Sequence, residues 1–286
     1  MDGDFGDFPL RETRIAILGI GLIGGSLALA LREHVRALYL ADPDPEARAL
    51  AHAWGLGDLV TPHPEDAVRH AQVMVLAAPV RAILDLVQRL PQWIAHPAIV
   101  VDVGSTKAAI CQAMAALPPR FDPIGGHPLA GKTEAGLAHA DPRLFRERPF
   151  IFTPLPRTSP RARAFARALA QAVGAFPLWM EPDVHDRLVA YTSHMPYLLS
   201  AALALAVPPE TRDVMGPGFA STVRLAGSSP RMMLDILLTN LDAVLEALDA
   251  LQDALWEVRR ALEQETEKDL QRLLQNVAQR YWAWFR

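Results

Sequence analysis

Cysteine is all but missing from this chain of 286 residues, where Cys111 stands alone. An intrachain disulfide and a cysteine-built zinc site are thereby excluded, and the composition suits a reducing compartment. Lysine is nearly as scarce, confined to Lys107, Lys132 and Lys268, so arginine carries most of the positive charge. That charge is not in excess. The formal net charge is −4, and no global field would recruit nucleic acid or an anionic membrane. An anionic ligand would have to be gripped by local cations. The opening MDGDFGDFPL has neither the basic start nor the apolar run of a secretory signal, so a cytoplasmic protein is expected.

Long hydrophobic runs are few. The uncharged stretch 15–31 approaches the roughly 18–20 residues of a membrane span, but Gly19, Gly21, Gly24 and Gly25 interrupt it. A strand, a tight turn and a buried helix account for it, and no membrane partner is expected. Apolar residues are abundant, at 51% against 21% charged, which is enough for a sizeable core. The length exceeds the about 100–200 residues of one ordinary domain, so two are expected.

Short apolar runs at 14–18, 37–41, 72–77, 98–102, 121–125, 150–153 and 176–179 read as buried strands. Helical patterns fall between them at 21–33, 46–54, 80–90, 105–116 and 160–173. This alternation predicts an α/β fold with a doubly wound parallel sheet. The texture changes near Glu181-Pro182. Beyond it no strand is evident, and 234–262 and 268–284 show apolar residues at helical spacing. The expected organisation is a dinucleotide-binding Rossmann domain over 1–180 and an all-α domain over 181–286. The apolar stripes of the second domain are wider than a small bundle needs. That predicts a homodimer formed through it, with a monomeric bundle core as the alternative.

Gly19-Ile-Gly21-Leu22-Ile23-Gly24 follows a strand and opens a helix, the context in which G-x-G-x-x-G binds a dinucleotide. The first glycine makes the turn, the second admits a pyrophosphate and the third lets helix meet strand, while helix N–H groups face the anion. Asp42 ends the second strand, where a carboxylate accepts ribose hydroxyls and repels a 2′-phosphate. NAD is therefore expected, with Arg48 leaving NADP open. Asp42 in Asp-Pro-Asp-Pro is also good turn chemistry. Ala78 and Pro79 leave another strand where the nicotinamide side of the crevice would lie. Ser105 at a strand-to-helix junction reads equally as a helix cap. His127, set between Gly125-Gly126 and Pro128, reads as an imidazole held at a cleft.

Taken together, the segments Gly19–Ser26, Asp102-Val-Gly-Ser-Thr-Lys107, Gly125-Gly-His-Pro-Leu-Ala-Gly131, Ser193-His-Met-Pro196 and Gly218-Phe-Ala-Ser-Thr-Val-Arg224 resemble the prephenate/arogenate dehydrogenase family of tyrosine biosynthesis. The resemblance implies a Rossmann domain followed by a helical dimerisation domain. It also implies oxidation of prephenate or arogenate at the ring hydroxyl with loss of carbon dioxide. On that basis His127 takes the hydroxyl proton and Ser105 orients the same oxygen. Arg224 binds a carboxylate, and His194, Tyr197 and Gly218 line the substrate side. His194 could instead bridge the domains or simply pack in a helix. Tyr197 stands where some prephenate-oxidising members carry a second histidine, which leaves the choice of substrate open. The loop reads Lys132-Thr-Glu134 where Thr-Glu-Lys is common, so a gating glutamate is not carried across, and Lys132 is a second source of substrate-side charge. NAD-dependent conversion of prephenate to 4-hydroxyphenylpyruvate is the expected reaction. Arogenate is the alternative substrate; a hydroxyacid- or imine-acting dehydrogenase and a non-catalytic NAD sensor are more distant readings. No metal is expected. The chain ends at Arg286, and no dedicated regulatory domain is anticipated.

Overall fold

The computed structural model describes residues 6–132, 134–264 and 266–285. The first part is an eight-stranded sheet in the order β3-β2-β1-β4-β5-β6-β7-β8. Its strands are β1 (Arg14–Leu18), β2 (Ala37–Ala41), β3 (Leu59–Thr61), β4 (Val73–Leu76), β5 (Ala98–Asp102), β6 (Phe121–Pro128), β7 (Pro149–Pro154) and β8 (Phe176–Trp179). The helices of this part are α1 (Leu22–Leu31), α2 (Pro45–Ala53), α3 (Pro64–Val68), α4 (Val80–Trp93), α5 (Ala108–Ala115) and α6 (Pro160–Ala172). Alternate residues of each strand serve opposite faces. Ile15 and Ile17 join the cluster of Leu27, Phe150, Phe152 and Phe165, whereas Ala16 and Leu18 join Met74, Ile83, Val87 and Met114. Both faces are covered, which explains why the strands read as continuous apolar runs rather than alternating ones.

The α/β architecture matches the expectation, with three differences. The short edge strand β3 had no sequence signal, since only Leu59, Val60 and Thr61 form it. Pairing is parallel throughout except that β7 runs antiparallel to β6, with Gly126 opposite Phe152 and His127 opposite Ile151. Among the described residues no α-helix separates those two strands, which are joined through a 3-10 turn at Leu137–His139 and a turn over 142–147, so a parallel crossover is not imposed there. Finally, β6 runs on through Gly125 and Gly126 to Pro128, so His127 sits on the strand and not after it.

The two glycines are a steric requirement. A Cβ at Gly125 would lie 2.0 Å from Thr153 Oγ1, and one at Gly126 would lie 2.7 Å from the Asp102 carbonyl. Around them the sheet is tied by a buried ion pair. Lys107, wholly buried, sets Nζ against Asp102 Oδ2 and donates to the Gly126 carbonyl at 2.6 Å; Asp102 Oδ1 accepts from Gly126 N at 3.2 Å. Cys111 lies in the same interior, its Sγ 3.2 Å from Thr153 Oγ1, and burial pushes its thiol up to about 11.

The second part is helical: α7 (Pro182–Val189), a π turn (Ala190–His194), α8 (Met195–Ala206), α9 (Pro217–Val223), α10 (Pro230–Thr239), α11 (Leu241–Gln264) and α12 (Glu267–Trp284). Its own buried apolar cluster is small, centred on Ala190, Val244 and Ala247. Large apolar side chains stay exposed along it, among them Leu205, Leu245, Trp256, Leu262, Leu274 and Trp284. The continuous helical stretch Pro182–Ala206 is long and apolar enough, by length and composition alone, to cross a membrane. Its buried His185, Asp186 and His194 are nevertheless engaged in hydrogen bonds with the rest of the protein.

Removing only the cation of the buried pair should be costly. Lys107→Met is expected to lower unfolding free energy by about 3–5 kcal/mol in urea denaturation, because a carboxylate is left unpaired in the interior. Adding Asp102→Leu should recover much of that loss; a double variant weaker than the single one would contradict this account.

Candidate active site

The glycine turn is built as a cradle. Gly19 has φ +97°, and a Cβ there would meet the Ala77 carbonyl at 2.4 Å. At Gly24 a Cβ would fall 1.9 Å from the Gly19 carbonyl, so helix and turn can approach only without one. Gly21, at the cap of α1, has nothing within 4 Å of its own Cβ position. Two glycines thus allow close packing, and the middle one borders open space at a helix N-terminus, the shape and polarity a pyrophosphate requires. Leu22 and Ile23, half-buried, open α1 behind it. At the tip of β2, Asp42 Oδ2 accepts from Ile20 N at 2.7 Å and Oδ1 from Asp44 N at 2.8 Å. The carboxylate is thereby braced against the cradle, and each oxygen keeps a lone pair for a ribose hydroxyl. Asp42 makes the turn contacts that its Asp-Pro-Asp-Pro setting suggests and stands directly beside the glycine turn. Arg48 donates from Nη1 to the Asp42 carbonyl at 2.8 Å. Half-buried Ala78 and exposed Pro79 leave β4 beside Gly19.

At the neighbouring strand ends the side chains form a chain of imidazoles. His127 Nδ1 lies 2.8 Å from His185 Nε2, and His185 Nδ1 lies 2.7 Å from Asp186 Oδ1. An ionised carboxylate can only accept, so the His185 proton sits on Nδ1 and its Nε2 accepts. His127 must then donate from Nδ1, which leaves its Nε2 as a bare lone pair. Burial, and after it the neighbouring charges of His185, Lys107 and His194, holds the His127 imidazolium well below the usual range. The ring is a neutral base.

Asp186 does more than orient His185. Its Oδ1 accepts from Lys107 N at 2.7 Å and its Oδ2 from Ala108 N at 2.8 Å. A carboxylate of the helical domain therefore caps α5 of the sheet domain and meets the positive end of its dipole. Ser105 is not the cap: α5 begins only at Ala108, and the half-buried Ser105 hydroxyl bonds to no described residue. Next to it, Thr106 Oγ1 and Thr239 Oγ1 meet at 2.8 Å, a second tie between domains. A third joins Arg81 of α4 to the nearly buried Asp235 at 3.4 Å.

His194 is 1% exposed, and Asn240 Nδ2 reaches both its Nδ1, at 3.3 Å, and the Asp186 carbonyl, at 2.8 Å. His194 is thus enclosed and bonded within the helical part, as the packing reading expected. Burial pushes its imidazolium down to about 4, against a partial offset from Asp186. Tyr197 follows on α8, half-buried. Arg224 lies at the start of a short turn (Arg224–Gly227) that packs on α8, where Ala226 N donates to Ser200 Oγ at 3.0 Å. Its guanidinium is exposed and makes no ion pair with a described residue, and Gly218 on α9 is equally open. The structure therefore joins His127 to His185 and Asp186, and places His194 electrostatically beside them. It gives neither Arg224 nor Gly218 a contact with that group. Lys132 donates to the His139 carbonyl at 3.0 Å within its own loop.

The matches with known proteins agree with this geometry. Residues 27–176 match the family model of the prephenate dehydrogenase nucleotide-binding domain, and residues 181–276 match that of the prephenate dehydrogenase dimerization domain. The chain belongs to the prephenate dehydrogenase family. It is 32% identical over 271 residues to the prephenate dehydrogenase of Bacillus subtilis, spanning 91% of this chain and 73% of that one. It is also 32% identical over 257 residues to the cyclohexadienyl dehydrogenase of Zymomonas mobilis, spanning 87% and 88%. Among solved structures, prephenate dehydrogenase from A. aeolicus in complex with hydroxyphenyl propionate and NAD+ superposes with a TM-score of 0.88 at 28% identity, over 96% and 99% of the two chains. Synechocystis arogenate dehydrogenase gives 0.79 at 29%, over 95% and 99%. The resemblance seen in the motifs is borne out, as is the two-part fold with its Rossmann-type sheet.

In this member of the prephenate dehydrogenase family, sequence reading missed His185, Asp186 and Asn240. The available signal was a His-Asp pair at the start of a helix just past the change of texture at Pro182. Half-buried His127 and the buried His185 and His194 also set the response to acid. His127, His185 and His194 all have pKa values lowered by burial, so below pH 6.5 the unfolded chain takes up protons that the folded one refuses. Stability should therefore fall as the pH drops from 6.5 towards 4. His194 alone would contribute a loss of about 2 kcal/mol by pH 5. Denaturant titrations across that window should show the decline, and His194→Asn should flatten part of it.

Proposed function

We propose that this chain is an NAD-dependent dehydrogenase that oxidatively decarboxylates prephenate to 4-hydroxyphenylpyruvate in tyrosine biosynthesis. The observation that carries the reading is the chain Asp186–His185–His127, which leaves His127 Nε2 bare and uncharged at the carboxyl end of β6. Arogenate remains the second substrate, because Tyr197 occupies the side-chain-recognition position and relatives of both specificities match comparably.

Gly19, Gly21, Leu22, Ile23, Gly24, Asp42, Ala78 and Pro79 would hold the dinucleotide. When bound, its nicotinamide supplies the acceptor for the hydride from C4 of the substrate ring. The protein's own residues manage the proton and the charge. His127 Nε2 takes the proton of the C4 hydroxyl, and the imidazolium that forms is supported through His185 by the Asp186 carboxylate. The Ser105 hydroxyl, which follows β5, the strand next to β6 both in chain order and in the sheet, orients the same oxygen. The substrate's ring carboxylate leaves as carbon dioxide while the ring becomes aromatic, so no strong acid is required of the protein. The neutral His194 ring and the Arg224 guanidinium meet the anionic end of the substrate, Arg224 with its paired N–H donors. The homodimer would form through the exposed apolar faces of α11 and α12, in keeping with the dimerization-domain match. The buried, hydrogen-bonded His185, Asp186 and His194 within Pro182–Ala206 favour a helix of the protein interior over a membrane span, and we read the enzyme as soluble and cytoplasmic.

Reduced nicotinamide should accumulate when the protein is mixed with NAD+ and prephenate, and a parallel assay with arogenate assigns the substrate. Absence of turnover with both would overturn the reading. His127→Asn should lower kcat by about 10²–10⁴-fold with little change in KM. Arg224→Ala should act mainly on KM, and similar small effects from both variants would mean the roles are misassigned.

A further inference from the structure

Asn240, which ends α10, is buried within the helical part, one residue after the Thr239 that meets Thr106 of the sheet domain, and belongs to none of the sequence motifs. Its side-chain geometry fixes a proton. The Asp186 main-chain oxygen 2.8 Å away can only accept, so the atom facing it is the amide nitrogen. The same nitrogen faces His194 Nδ1 at 3.3 Å, and His194 must therefore present a lone pair there. A neutral imidazole carries one proton, which leaves His194 as the Nε2–H form. That Nε2–H has no partner among the described residues. No fully enclosed side-chain nitrogen or oxygen among them lacks a partner, so Nε2 is the part of this nearly buried ring that reaches open space.

We propose that Asn240 is a positioning residue that holds His194 as a hydrogen-bond donor aimed at a carboxylate oxygen of the substrate. The site then displays two histidines with opposite tautomers: His127 accepts at Nε2, and His194 donates at Nε2. The π turn Ala190–His194 serves this arrangement. At roughly 100° per residue, the interval from His185 to His194 is about two and a half turns, which places them on opposite faces of an unbroken α-helix. The extra residue absorbed by the π turn takes back about 100° and swings His194 towards the side of His185. A donor fixed in advance costs less to dock against than one that must choose its proton on binding. This inference rests on the reading of a carboxylate-bearing cyclohexadienyl substrate given above.

Long-range 15N–1H correlation spectra of the NAD+-loaded wild-type protein at neutral pH should report His194 as the Nε2–H tautomer; the Nδ1–H tautomer or an imidazolium would overturn the proposal. Asn240→Leu, compared at equal folded fraction, should weaken binding of hydroxyphenyl propionate about tenfold, the value of one charge-assisted hydrogen bond. Binding of 4-ethylphenol, which has the ring hydroxyl without the carboxylate, should stay within about twofold. In turnover the variant should raise KM about tenfold and leave kcat within about threefold. Equal losses for both ligands, or an unchanged KM, would reduce Asn240 to a packing residue. The tautomer and the two ligand affinities need no turnover, so they decide this proposal even if neither prephenate nor arogenate is oxidised.

Discussion

One carboxylate, that of Asp186, connects the framework of this protein to its chemistry. It satisfies the first free N–H groups of α5, a helix of the other domain, and in the same position fixes the proton of His185. Capping alone could be done by many residues, and orienting an imidazole could be done by others. Joining the two means that the imidazole chain is in register only when the helical domain is seated on the sheet. A helix start offers a fixed, well-ordered pair of donors, so the carboxylate has little freedom left, and neither has the ring attached to it.

The region around His127 is consequently rigid for reasons that have nothing to do with its reactivity. Gly125 and Gly126 are demanded by Thr153 and the Asp102 carbonyl, and Lys107 binds the carbonyl of Gly126 from below. Asp102 and Lys107 thus act as ties that hold β5 and β6 at a set distance, although their motif reads at first like part of a reactive loop. The cysteine nearby is equally structural: its raised pKa keeps it a thiol at neutral pH.

The sheet domain was legible because its strands are buried on both faces and its turns carry glycine where only glycine fits, as Gly19 and Gly24 illustrate. The reversed pairing of β7 was not legible, since the pattern of apolar residues in a buried strand does not encode direction. Of the site, His127 could be found from its glycine and proline neighbours. His185 offered only the weaker signal of a His-Asp pair at a helix start, because its function depends on the His127 ring, which comes from a strand far away in sequence. Ser105 was read in part as a cap, and the structure gives that task to Asp186, a residue that no local rule links to α5. Asn240 sits between two helices, where an asparagine reads as an ordinary terminator.

The π turn has a consequence for how this segment can change. Exchange there is tolerated at Thr192 and Ser193, which face outward, while Ala190 and His194 are enclosed. Regular α-helical winding over the same residues would rotate everything that follows by about 100°. Deleting one residue between Val189 and Met195 would instead restore regular winding and leave the distal helices facing as they do now. The wide turn is thus one surplus residue absorbed locally, at no cost to the orientation of the bundle beyond it.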